Sequence, residues 1–219
     1  MVTSKATKAR TLEQAEKLFP GGVASWHFLN DNGKMTRYTM GIGRPTGQTP
    51  KAGRNYHVDG FIALCFNGLH ASREIEQALA HAPGTIIQRC WSHGVHVEQY
   101  NNKLASSERL SLWIVDAGPT MRRVAIEVAV ELVQEYAHCL TENETERVLA
   151  VLKGSKESLP AGLPPRLAHM VDVVTNSHSA LTTFYAVRDF AGSREHTRDI
   201  GASCIPRLVA AIEALAPQQ

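Results

Sequence analysis

At Asp116 the spacing of apolar residues along the chain changes, and that change limits what the chain can become. Before it, short runs of β-branched and aromatic residues alternate with Gly, Pro, Asn and Asp; after it, apolar residues recur along one face of long uninterrupted segments. A period of two belongs to strands and a period of about 3.6 to helices. The expected fold is therefore α+β: a mixed, mainly antiparallel sheet with one inserted helix in the N-terminal half, followed by a helical C-terminal half. The divisions expected are an arm and short helix at 1–20, a β-rich domain at 21–117 and a helical region at 118–219. The helical region could stand as its own domain or cover one face of the sheet, and the pattern leaves both open.

Within the first half, TLEQAEKLF at 11–19 reads as a short helix stopped by Pro20-Gly21-Gly22. Strand-like runs follow at 23–29, 34–40, 55–58, 61–66, 84–91, 94–100 and 109–116. Asp31-Asn32-Gly33 should join the first two as a hairpin, because Asn-Gly supplies the positive φ angles of a type I′ turn. Asp59-Gly60 and His93-Gly94 read as further tight turns. A helix is expected over about 72–82, and GIGRPTGQTPKAGR at 41–54 is the longest irregular stretch. In the second half, 118–140 reads as one long helix with Val124, Val128, Leu132, Val133 and Tyr136 in its apolar stripe. That stripe is expected to be intramolecular cover or an oligomer contact. Thr141 and Glu144 have capping-box spacing and should start a second helix. Residues 166–191 look like a third long helical segment.

Bulk properties remove several classes of function. The net charge of +2, from 23 basic and 21 acidic residues, calls for neither nucleic acid nor an anionic membrane as partner. No apolar run approaches the roughly 18 residues of a membrane span, and no apolar stretch follows the basic N-terminus as a secretion signal requires. The four cysteines are scattered without CxxC spacing, which fits reduced thiols in a cytoplasmic protein of a bacterium or an infected host; a place in a virion stays open. Cys90-x-x-His93-x-x-His96 has ligand-type residues, but on a strand His93 faces away from the other two, so no metal is expected. Nucleophile elbows and Walker loops are missing. Arg37, Arg44, Lys51 and Arg54 make the 41–54 region basic, and Arg44, Lys51 and Arg54 are candidate ligand-binding residues there.

WHFL (26–29), YHVDG (56–60), LCFNGLHAS (64–72), ALAHAPG (78–84) and KLASSER (103–109) occur in that order. Together they resemble an uncharacterised family of bacterial and bacteriophage proteins with a WHF start, an LCxxG[LF]HA core, an ALxxAPG helix and a KxxA[ST]ER strand. The likeness spans about 26–115, and it departs at His81, where the family has Tyr, and at Asn102, where it often has Asp. It implies a lineage and no activity. A more distant resemblance, to ADP-ribosyltransferase-like folds, rests on His27, the GLHAS turn and Glu108 in order. It implies catalytic roles for His27, His70 and Glu108, with NAD as cofactor. The plainer reading of the same residues is a turn at Gly68, a helix cap at Ser72, a bond from His70 to a backbone carbonyl and an ion pair of Glu108 with Lys103 or Arg109.

The function expected is a non-catalytic interaction or structural accessory protein, with a phage-encoded origin as one option, without a cofactor. It would engage a protein partner or self-associate through its helical half. The alternatives are an NAD-using ADP-ribosyltransferase-like enzyme and a nucleic-acid accessory protein using the 41–54 loop.

Overall fold

A computed structural model describes residues 11–39, 42–45, 48–100, 103–192 and 198–216, with backbone alone for 36–39, 42–45 and 198. The fold is α+β, and every strand pairing is antiparallel. Residue contacts gather into two compact units, one running to Asp116 and one spanning Ala117–Leu215.

The first unit opens with helix α1 (Leu12–Leu18), whose N-terminus is capped by the Thr11 hydroxyl accepting from the Gln14 N–H. Its sheet consists of β1 (Val23–Leu29), β4 (Asn55–His57), β5 (Leu69–Ala71), β6 (Ile86–Gln99) and β7 (Lys103–Asp116). The order across it is β1-β6-β7-β4, and β5 also pairs with β7, beside Leu104–Ser106 where β4 runs beside Glu108–Leu110. A separate two-stranded ladder joins β2 (Thr36–Thr39) to β3 (Ile42–Pro45). The stretch expected to be wholly irregular at 41–54 thus contains a strand.

Three expectations about the β-rich half are corrected by long-range pairing. The turn at Asp31–Gly33 forms, with the Gly33 N–H on the Asn30 carbonyl, but β1 does not pair with β2. It pairs with β6 instead, where it gains a ladder from Val23↔Ser92 to Leu29↔Ile86. The runs 84–91 and 94–100 belong to one strand, and His93-Gly94 is a bulge in it rather than a turn. Gly94 sits at φ 72°, and a Cβ there would collide with the Ser107 hydroxyl, so only glycine lets the strand bend at this point. The run 61–66 forms no strand; it folds over on itself through Ala63 and Asn67.

GLHAS also differs from its reading as a strand-to-helix turn. Leu69–Ala71 is strand β5, entered through Gly68 at φ 137°. Ser72 does not cap the helix that follows, which is the single turn α2 (Ile75–Leu79) with Glu74 at its N-cap. Its backbone exchanges two hydrogen bonds with Trp26, at 2.7 and 2.9 Å. Because β5 lies on the far edge of β7 and β1 on the far edge of β6, this one bridge closes the curled sheet upon itself.

The two faces of the sheet carry different residues. On one, Trp91, Leu110 and Leu112 pack against Ala15 of α1, with Phe19, Ala24 and Trp113 at the margin. On the other, Leu29, Met35, Tyr56 and Leu69 form a second apolar cluster. Ser25, His27, Gln88, Cys90, Arg109 and Ser111 share the Tyr56 face by strand register, which makes it unusually polar for a buried surface.

The second unit is helical: α3 (Gly118–Glu135), a 3-10 turn at Tyr136–Cys139, α4 (Glu142–Leu152), α5 (Pro165–Asn176), α6 (Ala180–Ala191) and α7 (Arg198–Glu213). Helix α3 packs against α4, α5, α6 and α7, and its stripe residues Val124, Val128, Leu132, Val133 and Tyr136 are buried in this unit's own core. The capping box at the start of α4 is present: Thr141 Oγ1 accepts from the Glu144 N–H, and Glu144 Oε2 accepts from the Thr141 N–H. The expected single helix at 166–191 is two, because Ser179 caps α6 by accepting from the Thr182 N–H. No helix among the described residues is long and apolar enough to cross a membrane.

Candidate functional site

Beyond the Trp26–Ser72 bridge, β1 and β5 part, and a cavity of about 130 Å³ opens between them. The free edge of β1 supplies Trp26, His27 and Phe28; β5 supplies His70 and Ala71. Ala78 from α2, with His81 and Pro83 beyond it, closes the side, and Cys65 and Lys103 complete the wall. Two of the three expected catalytic residues, His27 and His70, therefore meet at one cavity although 43 positions separate them in the chain.

His70 is held from both sides. Its Nε2 accepts the Cys65 N–H at 2.9 Å, and the Gly68 backbone also bonds the ring. An imidazole nitrogen that accepts an N–H carries no proton, so His70 works in its neutral form here. Burial and then the neighbouring Arg109 lower its pKa to about 4. The bond fixes Cys65 at φ 60°, a left-handed conformation that non-glycine residues seldom adopt. The bond of His70 to the Gly68 backbone answers the expected backbone partner, and the Cys65 bond shapes the loop that forms one wall of the cavity.

His27 is half-buried overall, yet its Nε2 is sealed from solvent and has no hydrogen-bond partner. Burial first, then Arg109 and His70, hold its pKa well below the ordinary imidazole range. His81 is lowered as well, by burial and then by Lys103. The cavity thus presents neutral imidazoles near two cations and no carboxylate in its lining.

Arg109, which the sequence suggested only as an ion-pair partner, lies directly behind this wall. It is 1% exposed; its guanidinium donates to the His70 carbonyl at 2.7 Å and to Met35 Sδ at 3.1 Å, while Nε has no partner. The groups of opposite charge potential felt at Arg109 are the Cys90 thiol and the Tyr56 phenol. Burial pushes the Cys90 thiol up to about 11, so it stays protonated at neutral pH. Gln88, opposite His27 in the ladder, is fully buried with neither amide atom bonded.

Glu108, the third expected catalytic residue, is not part of this site. It neighbours Arg109 on β7, and successive residues of a strand point to opposite faces. Glu108 Oε2 accepts from Asn55 Nδ2 at 2.7 Å, Asn55 Oδ1 bonds His93 Nε2 at 2.9 Å, and Phe19 stacks on the His93 ring at 4.0 Å. The expected pairing of Glu108 with Lys103 or Arg109 gives way to this Glu–Asn–His chain, buried at Asn55 and His93 and partly open at Glu108. The reason is register: His93 faces Glu108 across β6 and β7, and Asn55 enters beside it on β4.

The remaining candidates stand elsewhere. Lys51 is exposed and Arg54 half-buried, in one turn closed by the Arg54 N–H on the Lys51 carbonyl, and neither lines the cavity. The side chains of Arg44 and Arg37 lie outside the described residues. Cys90 and His93 point to opposite faces of β6, and His96 bonds the Gly94 carbonyl. No group of three metal-ligating side chains assembles among the described residues. All four cysteines are free, Cys90 and Cys204 buried, Cys65 and Cys139 exposed.

Arg109, Gln88 and Lys103 are the site residues that pattern reading missed. A signal existed for the first two: each sits in a long strand-like run next to an apolar residue, where burial is expected. Comparison of the chain with protein-family models, with curated proteins and with solved structures finds no match.

Proposed function

We propose that this is a non-catalytic binding protein that takes a small molecule into the cavity where β1 and β5 part. The observation that carries the reading is the cavity's construction. His70 spends its Nε2 lone pair on shaping the Cys65 loop, and His27 and His81 stay neutral around a space large enough for one six-membered ring. A general acid–base role would ask for a group that exchanges protons near neutral pH, and the His70 pKa of about 4 is far from that. Trp26 in the wall provides a built-in reporter. A library of single-ring compounds, each at millimolar concentration, should contain members that raise the melting temperature and change Trp26 emission, with the emission change alone lost in Trp26→Phe. A library that leaves the melting temperature unmoved would end the reading.

A second reading, an NAD-using ADP-ribosyltransferase-like enzyme, is favoured by one observation, the meeting of His27 and His70 at a ring-sized cavity. Against it, the cavity has room for a nicotinamide ring but no carboxylate, since Glu108 is committed to Asn55 on the other face. Release of nicotinamide from NAD by the purified protein, abolished in Glu108→Gln, would establish it over the binding reading. Absence of release and of any NAD-induced thermal shift would remove it.

A further inference from the structure

The cavity is electrostatically one-sided. Lys103 stands in its wall, and its side chain makes no ion pair with any described carboxylate. Its charge is felt at His70 and at His81, which stand on different walls of the cavity. From behind, the buried Arg109 acts on His27 and His70. A concave site with two cations and no anion focuses a positive potential inside it. The buried Arg109 has no carboxylate partner either, and burying an uncompensated charge is costly, so an anion arriving nearby relieves both cations.

The shape restricts what the anion can be. Walls of Trp26, Phe28, Ala71 and Ala78 are apolar, and an apolar cavity of about this size accommodates benzene. The gap lies between two strand edges that are bridged at Trp26 and Ser72, which makes it a slot suited to a flat group. Lys103 offers a single half-exposed ammonium, which matches a monoanion.

We propose that the cavity binds a compact aromatic or heteroaromatic carboxylate, its ring between the β1 and β5 edges and its carboxylate paired with Lys103. The assignment rests on the reading of the cavity as a ligand site and names the chemistry of what enters it. Lys103, rather than any of the three histidines, is then the residue that selects the ligand, because it is the one lysine or arginine in the wall itself.

The test compares benzoate with its neutral isostere benzamide, by calorimetry and by Trp26 emission, in the full chain. Benzoate should bind at least about tenfold more tightly than benzamide, and Lys103→Gln should abolish that preference, so that the two probes bind the variant with similar affinity. Circular dichroism of Lys103→Gln should match the parent, since the side chain makes no ion pair that the fold depends on. Equal binding of benzoate and benzamide, or a preference that survives Lys103→Gln, would overturn the carboxylate assignment and leave the ligand cavity standing. Binding of inorganic phosphate as tight as that of benzoate would overturn the role of the ring. Failure of both aromatic probes to bind would sink the assignment, and failure of the wider ring library as well would sink the binding reading beneath it.

Discussion

The two units bury different things. The helical unit buries Met121, Val124, Val128, Leu132, Phe184 and Leu208, and its buried polar residues are Thr120 and Thr183, the latter bonded to the Ser179 carbonyl. The β-rich unit buries Asn55, Gln88, His93, Arg109 and several serines, with Gln88, Arg109 and His27 each leaving a sealed polar atom unbonded. A buried polar group without a partner costs about 1–3 kcal/mol. Stability alone would replace such residues with apolar ones of similar volume. The helical unit buries a mostly apolar core, while the β-rich unit buries many more polar side chains and gives up stability in the region of its cavity. That difference is the physical reason to look for function in the first 116 residues.

The contrast can be broken most strongly from the dry side. Phe184 is fully buried, and Phe184→Ala should cost about 3–5 kcal/mol through lost burial and the cavity left behind, read as a lowered urea midpoint by ellipticity at 222 nm. A loss below about 1 kcal/mol would mean that the helical core is less tightly packed than its apolar composition implies.

Acid should act on the other unit. In the unfolded chain His70 titrates near 6.5, and in the folded protein near 4. Above pH 6.5 both states are neutral and the contribution is fully present. As pH falls from 6.5 towards 4 the unfolded state takes up the proton first, so stability is lost, by about 2–3 kcal/mol for this residue. His27, His81 and His93 are lowered too and act in the same direction. All three tryptophans, Trp26, Trp91 and Trp113, lie before Ala117, so their emission reports the β-rich unit. Emission should change between pH 6.5 and 4 while ellipticity at 222 nm persists to lower pH. Coincident transitions would show that the units unfold as one.

The smallest expected effect gives the sharpest test. Gln88→Met removes two unbonded polar atoms while keeping volume, and should raise the urea midpoint by about 1–2 kcal/mol in stability. A destabilised Gln88→Met would mean that the amide is satisfied in solution and that the polar face of the sheet is better bonded than its side chains alone provide.

Much of the secondary structure was legible because its causes are local. The helix stop at Pro20, the turn at Asp31–Gly33 and the capping box at Thr141 and Glu144 each depend on a few adjacent residues. The failures in the β-rich half come mostly from long-range pairing. Gly94 reads as a turn because glycine adopts positive φ in turns and bulges alike, and only the pairing of β6 with β7 across it distinguishes them. Ser72 looks like a cap, but a strand partner at Trp26 claimed its backbone first. Of the residues the motifs single out, His27 and His70 line the candidate cavity, Glu108 lies on the other face of β7, and Lys103 carries no role in the motif reading.

What the sequence determined by itself was the division at Asp116, the helix boundaries set by caps, and the character of each half, since periodicity and capping act over one or two turns of chain. The tertiary structure decided which residues meet. The bend at Gly94 curls the long β6–β7 hairpin, the curl brings Ser72 to Trp26, and that closure creates the cavity and sets Arg109 behind His27 and His70. Strand neighbours far apart in sequence are chosen by burial of whole faces, a property of the assembled sheet that no short stretch of the chain carries.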